Sequence, residues 1–261
     1  MMMRFQDRVN YALVEHVALI TLDRPDRLNA FDGAMYGGVN EAMLHFKDDA
    51  EAWVAVLQSS GDRAFSAGAD VRALDENARA GHTTGLGGLL IDSEMVTDKP
   101  IIAAVQGYCV GEGVNLALAC DLILADADAS FMISEVRIGV NPVDIPIKLS
   151  RRLGYAKAFA FLAPGDAKSA AWLKAAGLVE AVCEAGSVRT EALAFASRLT
   201  RECAPLALRA QKETLYQAAF VSGETAKARG EERRQAIRAS ADYVEGRQAF
   251  LEKRSPVFTG S

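Results

Sequence analysis

Three short apolar runs constrain the fold more than any other feature: "WVAVLQSSG" (53–61), "PIIAAVQGY" (100–108) and "DLILADADASF" (121–131). Each is β-rich and bounded by turn-forming residues, the pattern of a buried strand running into a turn. Between the second and third, "EGVNLALAC" has room for a helix but not for a long crossover. Strands and helices must therefore alternate in tight units, which is an α/β core.

The flanks agree with that class. "YALVEHVALITL" (Tyr11–Leu22) alternates and then runs apolar, predicting a strand pair broken near Glu15 and His16 and ended by the turn "DRPDRLN". From Met35, the residues Val39, Ala42, Met43 and Phe46 recur at helical spacing and predict an amphipathic helix over 34–48. After about Ala185, Ala192, Phe195, Ala196 and Leu199 start a helical pattern that continues to about Lys253. The division implied is a core over 1–190 carrying the site and a helical region over 191–261 for lid and oligomer contacts.

Composition excludes several classes. With 261 residues, half of them apolar, the chain can fill one large core. Its net charge of −5 is interspersed, so an electrostatic footprint for nucleic acid is missing. Cys109, Cys120, Cys183 and Cys203 make no CxxC or zinc spacing and read as reduced structural thiols. "MMMRFQDRVN" lacks the apolar segment of a signal peptide, and no apolar run approaches the ~20 residues of a membrane span, so a soluble cytoplasmic protein is expected.

Three segments can carry chemistry. "AFSAGAD" (64–70) follows a strand with small residues that leave backbone NH groups accessible; alone it is a plain turn. "GYCVGEGVN" (107–115) sets three glycines around Glu112 at the start of a helix, whose unpaired NH groups carry partial positive charge. It is neither a phosphate-binding loop nor a dinucleotide fingerprint, since no Gly-Lys-Ser/Thr follows and the third glycine is missing. One NH from each loop, converging on one oxygen, would make an oxyanion hole. In "FMISEVRIGVNP" (131–142), Glu135 lies between Ile133 and Val136; partial desolvation there would raise its pKa and make it a usable base, though alone it reads as a surface glutamate.

Taken in order, "ITLDRPDRLNAFD", "AFSAGADV", "KPIIAAVQGYCVGEGVNLALACDLILAD", "FMISEVRIGV" and "AFLEKRSPVF" resemble the crotonase superfamily, the enoyl-CoA hydratase and isomerase family, over nearly the whole chain. The resemblance implies a spiral of ββα units with a helical C-terminal region, assembled as homotrimers or dimers of trimers. It implies an acyl-CoA substrate, with coenzyme A entering as part of the thioester and no metal or redox cofactor. It makes the anion a thioester enolate and assigns the two donors to the backbone NH groups of Ala69 and Glu112. CoA contacts map onto Arg27, Leu28, Ala30, Ala67, Asp70 and Val71, and Phe250 and Lys253 match positions that reach a neighbour's CoA.

The chain departs from the family at informative places. The hydratases carry two glutamates, and here the first position holds Asn115 while Glu135 keeps the second. An amide cannot shuttle a proton as a carboxylate does. Hydration needs both carboxylates, whereas one base can remove a proton α to the thioester and return it at the γ carbon, so double-bond isomerisation is favoured. Hydration with Asp144 or Glu112 as second carboxylate is the alternative; hydrolysis, decarboxylation or binding without turnover also remain open. The Glu112 side chain is expected to point away from the oxyanion. His16, His45 and His82 read as non-catalytic, and the course of residues 75–95 is not readable.

Overall fold

The structure, a computed structural model, describes residues 2–80, 85–93, 95–138, 140–220 and 223–261. Strands β1 (Met2–Phe5), β2 (Val9–Val14) and β3 (Val17–Leu22) form an antiparallel meander. The expected strand pair is present, with Glu15 at φ 53° in the turn between its halves. Helix α1 (Gly33–Asp48) follows as predicted, capped by Asp32, whose side chain accepts from Met35 N at 2.8 Å. Met35, Val39, Ala42, Met43 and Phe46 are its buried face.

From there the chain repeats one unit. β4 (Val54–Ser59) enters a large sheet and β5 (Ala64–Ser66) a small one, followed by α2 (Val71–Arg79) and the short α3 (Leu90–Ser93). β6 (Ile101–Val105), β7 (Tyr108–Val110) and α4 (Glu112–Ala119) repeat the pattern, as do β8 (Leu122–Asp126), β9 (Ser130–Met132) and α5 (Asp144–Leu162). This is the spiral of ββα units. β10 (Lys168–Ser169), α6 (Ala170–Ala175), β11 (Ala181–Cys183) and the helices α7 (Val188–Glu202), α8 (Pro205–Phe220), α9 (Gly223–Arg238) and α10 (Ala241–Glu252) complete the described chain. The large sheet runs β1-β2-β3-β4-β6-β8-β11, the small one β10-β9-β7-β5.

The central strands β4 and β6 of the large sheet are mostly apolar because both faces are covered there. Along β4, Ala55 and Leu57 point into the main core with Ile20, Ala103 and Ile123, while Val54 and Val56 point into a second core with Ile102, Ala104 and Leu124. Helix α7 closes that second face with Val188, Ala192 and Ala196, and Phe195 and Leu199 pack beside them. Its start is fixed by Asp126, buried at the end of β8, whose Oδ1 accepts from Ser187 N and Val188 N at 3.1 and 2.9 Å.

One expected element divides. Residues 121–131, read as a single strand, are β8 and β9 in different sheets. The chain turns at Ala127–Ala129, where Ala129 N donates to Asp126 O. His16 lies in the turn between β2 and β3, not on a strand, and stacks on Trp53 with ring centroids 3.6 Å apart. All four cysteines are free, and no described helix is long and apolar enough to cross a membrane.

Candidate active site

The small sheet places the chemistry. Its strands β5, β7 and β9 are parallel neighbours, and Ala69, Glu112 and Glu135 each follow the C-terminal end of one of them. Ligand sites in parallel sheets form at that edge, where the chain leaves the strands and NH groups are exposed. The approach is close. A methyl group on Gly68 would stand 2.9 Å from the Val110 carbonyl oxygen and 3.6 Å from Glu112 N; one on Gly113 would stand 2.9 Å from Ser66. The Gly-Ala-Asp turn and the first turn of α4 therefore pack directly on each other.

Each donor is aimed by its local backbone. Ala69 bridges Phe31 in parallel fashion: Phe31 N donates to Gly68 O at 2.8 Å and Asp70 N to Phe31 O at 2.9 Å. Those bonds use the flanking peptides and turn the Ala69 NH to the opposite side, where it meets no acceptor among the described residues. Glu112 is the first residue of α4, after Gly111 at φ 48°, so its NH sits at the positive end of the helix dipole. Two NH groups on adjoining turns can converge on one oxygen.

Glu135 stands against that turn. A methyl on Gly111 would overlap Glu135 Oε1 and lie 3.4 Å from its Cδ. Oε2 is buried and takes no hydrogen bond among the described residues. Burial raises the carboxyl above its ordinary pKa, and the nearby Glu135 and Ser134 NH groups offset only part of this. Of the two flanking residues expected to desolvate it, Ile133 is buried, but Val136 is 54% exposed. Gly111, brought in from the neighbouring strand, covers the carboxyl in its place.

Asn115, at the position of the family's first glutamate, is 3% exposed and held at both ends. Its Nδ2 donates to Glu112 Oε1 at 3.1 Å, and its Oδ1 accepts from Lys148 Nζ at 2.7 Å. Asp144 begins α5 exposed to solvent.

The assigned CoA residues fall in two groups. Leu28 O accepts from Ala67 N at 2.9 Å, joining the "RLNA" turn to the Gly-Ala-Asp loop, and Ala30 O accepts from Arg24 Nη1 at 3.0 Å. Asp70 caps α2 through Arg72 N and Ala73 N and pairs with Arg24 at 2.8 Å. Burial alone would raise Asp70; the Arg24 and Ala73 hydrogen bonds win and hold it below its ordinary value. Arg27 is exposed beside Asp26, and Val71 is 71% exposed. Lys253 is exposed at the end of α10, the Phe250 side chain lies outside the described residues, and so does His82.

Two supports were not legible beforehand. Arg24 links Asp70 to Asp32, which Arg8 also contacts at 3.1 Å. Asn29, 1% exposed and at φ 53°, accepts from Arg24 N and donates to Ser60 O and Ala64 O. The one local signal was the asparagine itself, a residue that tolerates left-handed backbone. Among the described residues no group of His, Cys, Asp or Glu could hold a metal.

The model of the enoyl-CoA hydratase/isomerase family matches residues 13–261. The chain belongs to that family. It is 36% identical over 254 residues to carnitinyl-CoA dehydratase from Salmonella typhi, covering 92% of this chain and 94% of that protein. The crystal structure of an enoyl-CoA hydratase from Mycobacterium tuberculosis H37Rv superposes with a TM-score of 0.87 at 33% identity, over 97% of this chain and 99% of that one. An enoyl-CoA hydratase from Polaromonas sp. JS666 gives 0.86 at 31% identity, over 97% and 100%. The crotonase fold and membership of this enzyme family, expected from five motifs, are thereby established.

Proposed function

We propose that this family member moves a double bond in an enoyl-CoA thioester, with Glu135 as its single general acid/base. The observation that carries this reading is the half-buried, raised carboxyl of Glu135 pressed against the Gly111 turn, while position 115 holds an amide occupied at both ends. Glu135 takes a proton from the carbon α to the thioester of a 3-enoyl-CoA. The resulting dienolate oxygen is held by the NH groups of Ala69 and Glu112, each worth about 2.7–4 kcal/mol to such an intermediate. The same carboxyl returns the proton at the γ carbon and gives the 2-enoyl-CoA.

In this reading Leu28, Ala30, Ala67, Asp70 and Val71 line the CoA path, with Arg27 at its rim and Lys253 reaching a neighbouring subunit. The reaction uses the protein's own groups and calls for no separate cofactor. Assembly as trimers or paired trimers is supported by the exposed, stacked Tyr155 and Phe159 on α5, and light scattering tests it.

A second reading, hydration or dehydration, is favoured by one contact. The Asn115 bond leaves the Glu112 carboxylate beside residue 115, the position at which the family carries its first glutamate. The relatives named dehydratase and hydratase point the same way. Two assays separate the readings: conversion of a 3-enoyl-CoA followed by mass spectrometry with deuterium from solvent, and loss of enoyl absorbance with crotonyl-CoA. Fast crotonyl-CoA hydration with no 3-enoyl conversion would overturn the first.

A further inference from the structure

The residue that supplies the second NH also carries a carboxylate, and a negative side chain beside a developing enolate opposes the chemistry. Glu112 has a flexible two-methylene stem, so something must hold its charge off the oxygen that its own NH receives. We propose that Lys148 is that positioning residue: acting through Asn115, it anchors the Glu112 carboxylate along the flank of α4, away from the thioester oxyanion. The inference rests on the oxyanion assignment of the Ala69 and Glu112 NH groups.

The direction of each bond follows from chemistry. An ammonium can only donate, so the Asn115 end facing Lys148 Nζ at 2.7 Å must be Oδ1. The NH2 end is then turned to Glu112 Oε1 at 3.1 Å, where it can only donate. Lys148 thus fixes an amide orientation that would otherwise be free to flip, and the amide fixes the carboxylate. Lys148 Nζ also reaches the Asn115 carbonyl at 3.4 Å, so the ammonium is seated at two points.

The direction of the pull also fits. Helix NH groups point toward the N-terminus, and Asn115 lies three residues on, about 4.5 Å toward the C-terminus at 1.5 Å per residue. A carboxylate bonded to Asn115 therefore lies on the flank of α4 that the two residues share, beside the helix and not beyond its N-terminal end, where the NH groups of the first turn aim. Lys148 reaches it from a different helix, between Ile145 and Leu149, which are 3% and 0% exposed and seat that face of α5 in the core. The hold depends on tertiary packing of α5 on α4, not on α4 alone.

The test uses the full-length protein and acetoacetyl-CoA, whose bound enolate absorbs in the ultraviolet and reports the oxyanion hole without turnover, together with steady-state kinetics on the enoyl thioester the enzyme converts. Lys148→Met should lower the bound enolate fraction and kcat at least tenfold with KM within threefold. Lys148→Arg, which keeps a donor, should stay within threefold on both. Adding Glu112→Gln to Lys148→Met removes the freed charge and should recover at least fivefold of the loss. A Lys148→Met protein within threefold of wild type, or a loss that Glu112→Gln does not restore, overturns the proposal. A wild-type protein that binds acetoacetyl-CoA without an enolate band fails the oxyanion assignment itself, a different result from either.

Discussion

Gly111→Ala separates the geometry of the site from the stability of the fold. Gly111 has φ 48° and ψ −110°, a conformation that costs a residue with a side chain ~1–3 kcal/mol. For a chain of this length that is a Tm fall of about 2–10 °C. The added methyl overlaps Glu135 Oε1, so the carboxylate must retreat by roughly 1 Å to regain ordinary contact, a displacement that costs about 10²-fold in rate, or about 2.7 kcal/mol. Gly154, at φ 70° and ψ 165° inside α5, provides the control: its backbone is comparably strained, yet an added methyl meets nothing within 4 Å. Gly154→Ala should lower Tm to a similar degree with kcat within threefold of wild type, whereas Gly111→Ala should lose kcat about 100-fold at a modest Tm change, with acyl-CoA binding by calorimetry nearly intact. The reasoning is refuted if Gly111→Ala turns over within threefold of wild type, or if the two alanine variants lose the same activity.

Glu135→Gln should abolish turnover by about 10²–10⁴-fold while acyl-CoA still binds. Because burial raises the Glu135 carboxyl, the fold favours its neutral form. The stability this contributes is complete below the ordinary value of 4.5 and is lost as pH rises through the higher folded value, so Glu135→Gln should melt above wild type at pH 7 and lose that advantage in acid. For the same reason the acid limb of kcat/KM should lie above 4.5; a limb at or below that value would show Glu135 to be an ordinary exposed base. Asp70→Asn should cost less than the ~3–5 kcal/mol of a fully buried pair, because Asp32 stays 3.4 Å from Arg24. Asp70 is held below its ordinary 3.8, so its contribution is present above that value and fades as pH falls through the lower folded one; denaturant titrations near pH 7 and pH 3 should show the deficit shrinking in acid. Asn115→Glu restores the family's first carboxylate and should raise crotonyl-CoA hydration at least tenfold by absorbance; no increase would show that more than one missing carboxylate limits hydration.

The parts of the molecule legible in sequence are those whose signal is local. β4, β6 and β8 announce themselves because covering both faces of the large sheet demands unbroken apolar runs, and Val54–Leu57 are all fully buried. The small sheet gives no such signal. Three residues each in β5, β7 and β9 cannot show a period, and they become strands only by pairing with one another across intervening segments of about twenty to forty residues that hold other strands and helices. Hence residues 121–131 looked like one strand although they feed two sheets. The same division explains the site. Ala69, Glu112 and Glu135 sit in short motifs at the ends of those three strands, so local pattern and family resemblance both find them. What tunes them comes from elsewhere: Gly111 covers Glu135 from 24 residues away, Arg24 reaches Asp70 across 46, and Lys148 reaches Asn115 across 33. Val136 shows the error that follows when a neighbour in sequence is taken for a neighbour in space, since it is exposed while Ile133, two residues before the glutamate, is buried. A motif fixes which groups do chemistry here; their pKa values and orientations belong to the packing of one ββα unit on the next, where substitution should change rate without changing which residues react.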